Sequence, residues 1–271
     1  MIPMSANATY THGHHANVLS AHQWRTVENS AAYLVPHLRA GLSVLDVGCG
    51  PGTITAGMAE LVAPGRVAAT DAAEVVLAEA RRNAEAKGVT NVEFAVADVH
   101  ALDFPDDTFD VVHAHQVLQH IADPVRALAE MRRVAKPGGI VAAREADFGT
   151  MIWYPEPEAM APWRHIYYKV ARGNGGEPEG GRRLVSWARR AGFTDVTASA
   201  SAWCYATPEE REWWSESWGG RMRDSSVADK AVAAGHATRE ELQRVYEGWK
   251  EWAAAEDGWY SVTHGEILCR A

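Results

Sequence analysis

Apolar and branched residues crowd Val44 to Val47, and from Thr53 the chain switches to a helical period that lasts to Ala63. A continuous apolar run of that length reads as a strand buried on both faces of a parallel sheet, where helices cover both sides. The same change of period then recurs. Arg66–Thr70 reads as a strand, Glu74–Lys87 as a helix stopped by Gly88, and Val92–Val96 as a third strand. Phe104-Pro105-Asp106-Asp107 makes a turn before a fourth strand over Phe109–Ala114. Asp123-Pro124 offers a helix cap with proline at the first helical position, and Leu128, Met131 and Ala135 line the apolar face behind it. Lys136-Pro137-Gly138-Gly139 closes that helix, and Ile140–Ala146 is a fifth strand. Strands and helices alternating in this way, with crossovers of helical length, predict an α/β fold with a doubly wound parallel sheet.

Both flanks depart from the pattern. The first 19 residues are polar and aperiodic, which suits an N-terminal arm. From Ser20 to Leu38 the spacing of Val27, Ala31, Leu34 and Leu38 predicts a helix, kinked or ended early by Pro36. Beyond the fifth strand, Phe148–Glu177 is an insertion rich in Trp and Tyr with room for one helix. Gly180–Ala191 reads as a helix and Thr194–Tyr205 as an alternating strand. Thr207-Pro208-Glu209-Glu210 and Thr238 with Glu241 are helix-start signals. Leu242, Val245, Trp249 and Trp252 then fall on one stripe, and Trp259–Cys269 alternates as a closing strand. Five segments follow: an arm and lid helix over 1–40, a cofactor-binding core over 41–147, an insertion plus sixth strand over 148–206, a helical cap over 207–257, and a closing strand over 258–271.

The chemistry gathers at Asp46-Val47-Gly48-Cys49-Gly50-Pro51-Gly52-Thr53. Glycines between a strand and a helix let the backbone turn sharply and approach a ligand with no Cβ in the way. The helix start presents free N–H groups to that ligand. A dinucleotide loop needs G-x-G-x-x-G, but Thr53 stands where its third glycine belongs. Asp71, at the tip of the second strand, sits where a carboxylate accepts from ribose hydroxyls, and it serves equally as a helix cap. This loop resembles the E/D-x-G-x-G-x-G loop of class I S-adenosylmethionine (SAM) methyltransferases. The phrases F-D-V-V, V-L-Q-H-I-x-D-P and K-P-G-G that follow are similar to the ubiquinone/menaquinone-biosynthesis type of small-molecule methyltransferase. The resemblance spans about residues 41 to 147. It implies cofactor contacts at Asp46, Gly48 and Gly50, at Asp71 with Ala72, and at an adenine site over Asp98-Val99. It also implies contact with the methionine moiety from His113 to His115. For the sheet it implies seven strands, mostly parallel, with the last antiparallel and a helical cap between the last two.

Composition narrows the partners. With 26 basic and 35 acidic residues the formal charge is −9, which argues against nucleic acid or an anionic membrane surface. Three scattered cysteines give no disulfide or zinc framework and point to a cytoplasmic setting. No run approaches a membrane span, and the start lacks a signal-peptide pattern. His12, His14 and His15 read as part of the arm rather than as a metal site. Ten of the 11 tryptophans come after residue 150. Aromatic side chains dominate cores, yet such a surplus also suits a wall for a flat substrate.

The reading that follows is an enzyme that moves a methyl group from SAM, leaving S-adenosylhomocysteine, to a carbon, nitrogen or oxygen of a small aromatic, indole-like metabolite. His115, just past the fourth strand, is the first candidate for a base, with His120 second and Tyr10 reaching in from the arm. Arg25 is a candidate partner for the cofactor's carboxylate. His15, Trp24, Gln116, Trp153 and Trp214 are candidate substrate contacts. A monomer or homodimer is expected. The other readings are an NAD-dependent oxidoreductase and a SAM-binding protein without catalysis.

Overall fold

The computed structural model describes residues 24–271, so the arm, with Tyr10, His12, His14 and His15, lies outside the described residues. The sheet has eight strands: β1 Ser43–Val47, β2 Arg66–Asp71, β3 Val92–Val96, β4 Phe109–His115, β5 Ala135–Ala146, β6 Ile152–Tyr154, β7 Val196–Tyr205 and β8 Trp259–Arg270. They run in the order β3-β2-β1-β4-β5-β8, with β7 along the other edge of β8. Short β6 pairs with the start of β8 over Trp259–Ser261. The first five strands are parallel, and β8 is antiparallel to each of its neighbours. Every residue of β1 is buried, the polar Ser43 and Asp46 included, as a strand covered on both faces requires.

Helices α2 Thr53–Val62, α3 Glu74–Ala86 and α4 Pro124–Val134 follow β1, β2 and β4. The helix expected over Ser20–Leu38 is not continuous. Its described part is a four-residue helix, α1 Val27–Ser30, with a 3-10 turn at Val35–His37. Thr26 and Asn29 form a capping box that starts a new helix inside the expected one. Pro36 lacks the N–H that a continuing helix would need. The stripe still does its work, since Val27, Ala31 and Leu34 are buried against α2 and the sheet.

After β5 come α5 Trp163–Gly173 and α6 Leu184–Arg190, and between β7 and β8 stand α7 Pro208–Asp224, α8 Ser226–Ala233 and α9 Arg239–Ala254. Both capping boxes form, Thr207 with Glu210 and Thr238 with Glu241. These helices bury Trp163, Trp214, Trp218, Trp249 and Trp252 in one aromatic core with Tyr167, Tyr205 and Tyr260. Most of the tryptophan surplus is therefore packing. No helix of the described residues is long and apolar enough to cross a membrane.

One face of the sheet is polar across four strands. His115 of β4 pairs in register with Arg144 of β5, Arg144 with Glu266 of β8, and Glu266 with Ser199 of β7. Arg144 donates to Glu266 at 3.2 Å, and Glu266 also accepts from Ser199 and Ser201 at 2.7 and 2.5 Å. Buried charges persist when paired and hydrogen-bonded in this way.

Candidate active site

The loop between β1 and α2 turns on three left-handed glycines, Gly48, Gly50 and Gly52, with φ of 67°, 54° and 75°. At Gly48 a Cβ would fall 2.4 Å from Cγ2 of Val117, in the turn after β4. At Gly50 a Cβ would meet nothing within 4 Å. The loop is thus packed tightly beneath Gly48 and open above Gly50, as a ligand cradle requires. Asp71 accepts from the N–H groups of Gly50 and Ala73, both at 3.1 Å, one on each oxygen. Each oxygen keeps a lone pair for a ligand hydroxyl. Ala97 N–H donates to the Asp71 carbonyl at 3.1 Å, which brings Asp98 and Val99 beside the same edge. Asp98 accepts from the N–H of His100 at 2.9 Å, and Val99 is buried. Ala72 is exposed next to Asp71.

Asp46 is corrected. Its carboxylate is buried, with one oxygen accepting from Thr55 Oγ1 at 2.5 Å and the other 2.9 Å from Nδ1 of His113, its register partner on β4. Asp46 ties α2 and β4 to β1, and its burial, rather than a lack of lone pairs, turns it away from a ligand. Nδ1 of His113 is taken up by the same pair, while its buried Nε2 has no hydrogen-bond partner among the described residues.

Between the sheet and α7 lies a pocket with about 480 Å³ of atom-free space, part of it open to solvent. Trp203 of β7 and Trp213, Trp214 and Trp218 of α7 supply aromatic walls. Arg25, Gln116, His120, Arg221 and His264 supply the polar lining. Gln116 joins this pocket to the cofactor loop, because the next residue, Val117, is the one that packs on Gly48. A non-glycine residue at φ 53°, Gln116 is held in a strained conformation of the kind that clusters at functional sites. A guanidinium only donates, so the 2.8 Å contact from Arg25 fixes the Gln116 carbonyl oxygen toward Arg25. The amide nitrogen then donates to Nε2 of His264 at 3.0 Å. His264 is thereby set as a neutral ring with its proton on Nδ1, and burial pushes its pKa well down.

The two histidine candidates separate here. His115 is buried and not part of the pocket lining; its ring stands behind Trp203, 5.9 Å between centroids. Burial, with Arg25 and Arg144 nearby, holds it neutral. Neither ring nitrogen has a partner among the described residues. His115 as the first-choice base is corrected on this ground, since a base must reach the proton it removes. His120 does line the pocket, and burial aided by Arg25 and Arg221 pulls its pKa down to about 3. The turn carrying it is anchored by Glu145, which accepts from the N–H groups of Val117, Leu118 and Gln119 at 2.9, 2.8 and 3.3 Å.

Among the candidate substrate contacts, Gln116 and Trp214 line the pocket. Trp24 lies just outside, edge-on to Trp203 at 5.0 Å and beside Trp213 at 5.7 Å. Trp153 is corrected: half-buried, it stacks on Tyr260 at 5.9 Å against the cap core and is not among the residues that line the pocket. Trp203, Trp213, Trp218, Arg221 and His264 are lining residues that the sequence reading did not single out. For Arg221 a signal existed, because it shares a helical face with Trp214 and Trp218, and a charge on an aromatic stripe is informative. Nothing local marks His264, which lies 148 residues from its partner Gln116.

A doubly wound sheet with an antiparallel strand between β5 and β7, a glycine loop after β1 and an acid at the tip of β2 defines a nucleotide-cofactor enzyme of the methyltransferase class. The chain belongs to the SAM-dependent methyltransferases: a family model described as a methyltransferase domain matches residues 38–192. An uncharacterized methyltransferase of Schizosaccharomyces pombe is 36% identical over 96% of this chain and 95% of its own length. The probable methyltransferase ltbC of Aspergillus luteorubrus is 29% identical over 96% of each. In fold, the chain is similar to phosphoethanolamine N-methyltransferase 2 of Haemonchus contortus, solved with SAM. The TM-score is 0.57 at 20% identity, over 90% of this chain and 52% of that one.

Proposed function

We propose that this methyltransferase acts on a small, flat aromatic metabolite, indole-like in size and shape, seated in the tryptophan pocket beside the glycine loop. The methyl donor is SAM, and the residues present fit it: the open cradle over Gly50 and the half-used carboxylate of Asp71 suit a ribose and its chain. When bound, SAM supplies a methyl group on a cationic sulfur, so alignment and a dry site matter more than activation. The observation that supports the reading is that Val117 packs on Gly48 of the cofactor loop while the residue before it, Gln116, lines the aromatic-walled pocket.

The chain's own residues then have distinct tasks. Trp203, Trp213, Trp214 and Trp218 stack on the acceptor and keep out water, the competing nucleophile. Gln116, locked by Arg25 and His264, offers its remaining amide hydrogen toward the acceptor. His120, neutral throughout the working range, has its Nε2 3.1 Å from the side-chain nitrogen of Gln119, and it takes up a proton released by the acceptor where that hydrogen bond gives way. A base that weak suits methylation at carbon or nitrogen of an aromatic ring, where the strongly acidic cation formed on alkylation gives up its proton.

The test is calorimetric titration with S-adenosylhomocysteine, with NAD as control. Micromolar binding of the first and none of the second is expected. NAD binding alone would overturn the reading.

A further inference from the structure

One buried acid stands behind the pocket without lining it. Glu145, next to last in β5, is fully buried, and Gly181 and Gly265 close over its backbone. A Cβ on Gly181 would fall 2.8 Å from the Glu145 carbonyl oxygen. The side chain reaches the turn after β4. Oε1 accepts from the N–H groups of Val117 and Leu118 at 2.9 and 2.8 Å, and Oε2 accepts from that of Gln119 at 3.3 Å. These groups open the 3-10 turn Leu118–His120, whose cap position holds apolar Val117 and makes no side-chain bond. A helical start leaves its first N–H groups without partners, so an acid from another strand does here what a local Ser or Asp usually does. The three residues it holds have different neighbours. Val117 packs on Gly48 and follows strained Gln116, whereas Gln119 precedes His120, with its side-chain nitrogen 3.1 Å from His120 Nε2.

Resting on the proposed acceptor pocket, we propose that Glu145 is a positioning residue for the acceptor: its carboxylate, through the N–H of Gln119, keeps His120 on the pocket wall while Val117 stays against the cofactor loop. A carboxylate accepts on both oxygens, but a protonated carboxyl carries a hydroxyl that must donate. The proton belongs on Oε2, which has one long bond, and not on Oε1, which has two short ones. Protonation therefore releases Gln119 and the His120 end of the turn and spares Val117 and Leu118. Burial pushes the Glu145 pKa up to about 8, against the pull of the three N–H groups and of Arg25. The other charged or titratable groups around it keep their charge through that transition. Arg144 is paired to Glu266, Arg182 to Asp147 and Arg183 to Glu177. His115, His120 and His264 are neutral, and the Tyr33 hydroxyl stays protonated.

The experiment follows the backbone amides of the isotope-labelled full chain by NMR, saturated with S-adenosylhomocysteine, from about pH 6 to 9, a range that spans the Glu145 transition. The Gln119 amide should shift with a midpoint near 8, and those of Val117 and Leu118 should move less. Glu145→Gln imitates the protonated acid, because its one oxygen still serves Val117 and Leu118 while its NH2 group faces Gln119. In that variant the Gln119 shift should vanish and S-adenosylhomocysteine affinity should hold. Indole, uncharged throughout, should bind the variant about tenfold more weakly than wild type at the alkaline end, the effect of one hydrogen bond to a charged group. Wild type at the acid end should match the variant. A Gln119 amide that does not titrate in wild type overturns the proposal, whether or not the variant folds. Indole affinity indifferent to pH in wild type overturns it too. Indole that binds at no pH overturns the aromatic-pocket reading instead, and absence of S-adenosylhomocysteine binding overturns the assignment of the cofactor site.

Discussion

Replacing Gly48 by Ala tests how the cofactor loop and the acceptor pocket are joined. Two costs add. An alanine at φ 67° meets the left-handed penalty of about 1–2 kcal/mol. Its Cβ also lands 2.4 Å from Cγ2 of Val117, an overpacking that costs about 1–3 kcal/mol. Gly48→Ala should therefore destabilise by roughly 2–5 kcal/mol. Val117→Ala alone, removing two half-buried methyl-sized groups, should cost about 1 kcal/mol. In the double variant the clash disappears and only the backbone penalty and the lost methyls remain, so roughly 1–3 kcal/mol is recovered relative to the sum of the singles. Urea unfolding of the three variants measures this. Gly50→Ala is the control, because its Cβ meets nothing: Val117→Ala should not rescue it, and its defect should appear in S-adenosylhomocysteine affinity. Strict additivity of Gly48→Ala and Val117→Ala would refute the contact as the reason for glycine.

Three further outcomes are expected. Asp71→Ala should weaken S-adenosylhomocysteine binding by about 1–3 kcal/mol, as loss of a charge-assisted acceptor implies, and unchanged affinity would remove Asp71 from the site. His120→Gln should lower turnover with S-adenosylhomocysteine affinity nearly intact, and the wild-type rate should show no inflection near pH 6.5, since His120 titrates at about 3. Stability should fall on acidification: the unfolded chain takes up protons near pH 6.5, while buried His115, His120 and His264 stay neutral in the fold. That stability is fully present above about pH 6.5 and is lost as pH falls. For His120 alone the loss is about 2 kcal/mol at pH 5, measurable by denaturation at the two pH values.

The core of the fold was legible in the sequence because parallel strands carry their own signal. Val44, Leu45 and Val47 put apolar side chains on both faces of the strand, and Thr207 with Glu210 satisfies its own helix start whatever lies around it. The unexpected features depend on distant partners. Ser20–Leu38 has a helical stripe, yet the capping box of Thr26 and Asn29 restarts it, and a hydrogen bond from Trp203 Nε1 to the Asn29 carbonyl at 2.9 Å anchors the restarted turn to β7. Asp46 carries a motif that points to a ligand, but its register with His113 turns the carboxylate inward. Trp153 and Trp214 look alike in sequence. Trp153 is half-buried against the outside of the cap core, whereas Trp214 is buried in that core and also faces the pocket. The candidate site follows the same division: the loop glycines and Asp71 lie in two successive β-α units, whereas the acceptor pocket draws on residues from 25 to 264, brought together only by the folded sheet.

The most direct test of the central claim is transfer of labelled methyl from SAM by the full chain to a panel of indoles, phenols and aromatic acids, in wild type and Trp214→Ala. The account predicts a labelled aromatic product whose yield collapses in the variant while S-adenosylhomocysteine still binds. Binding of SAM with no transfer to any aromatic acceptor, or transfer indifferent to Trp214, would contradict it.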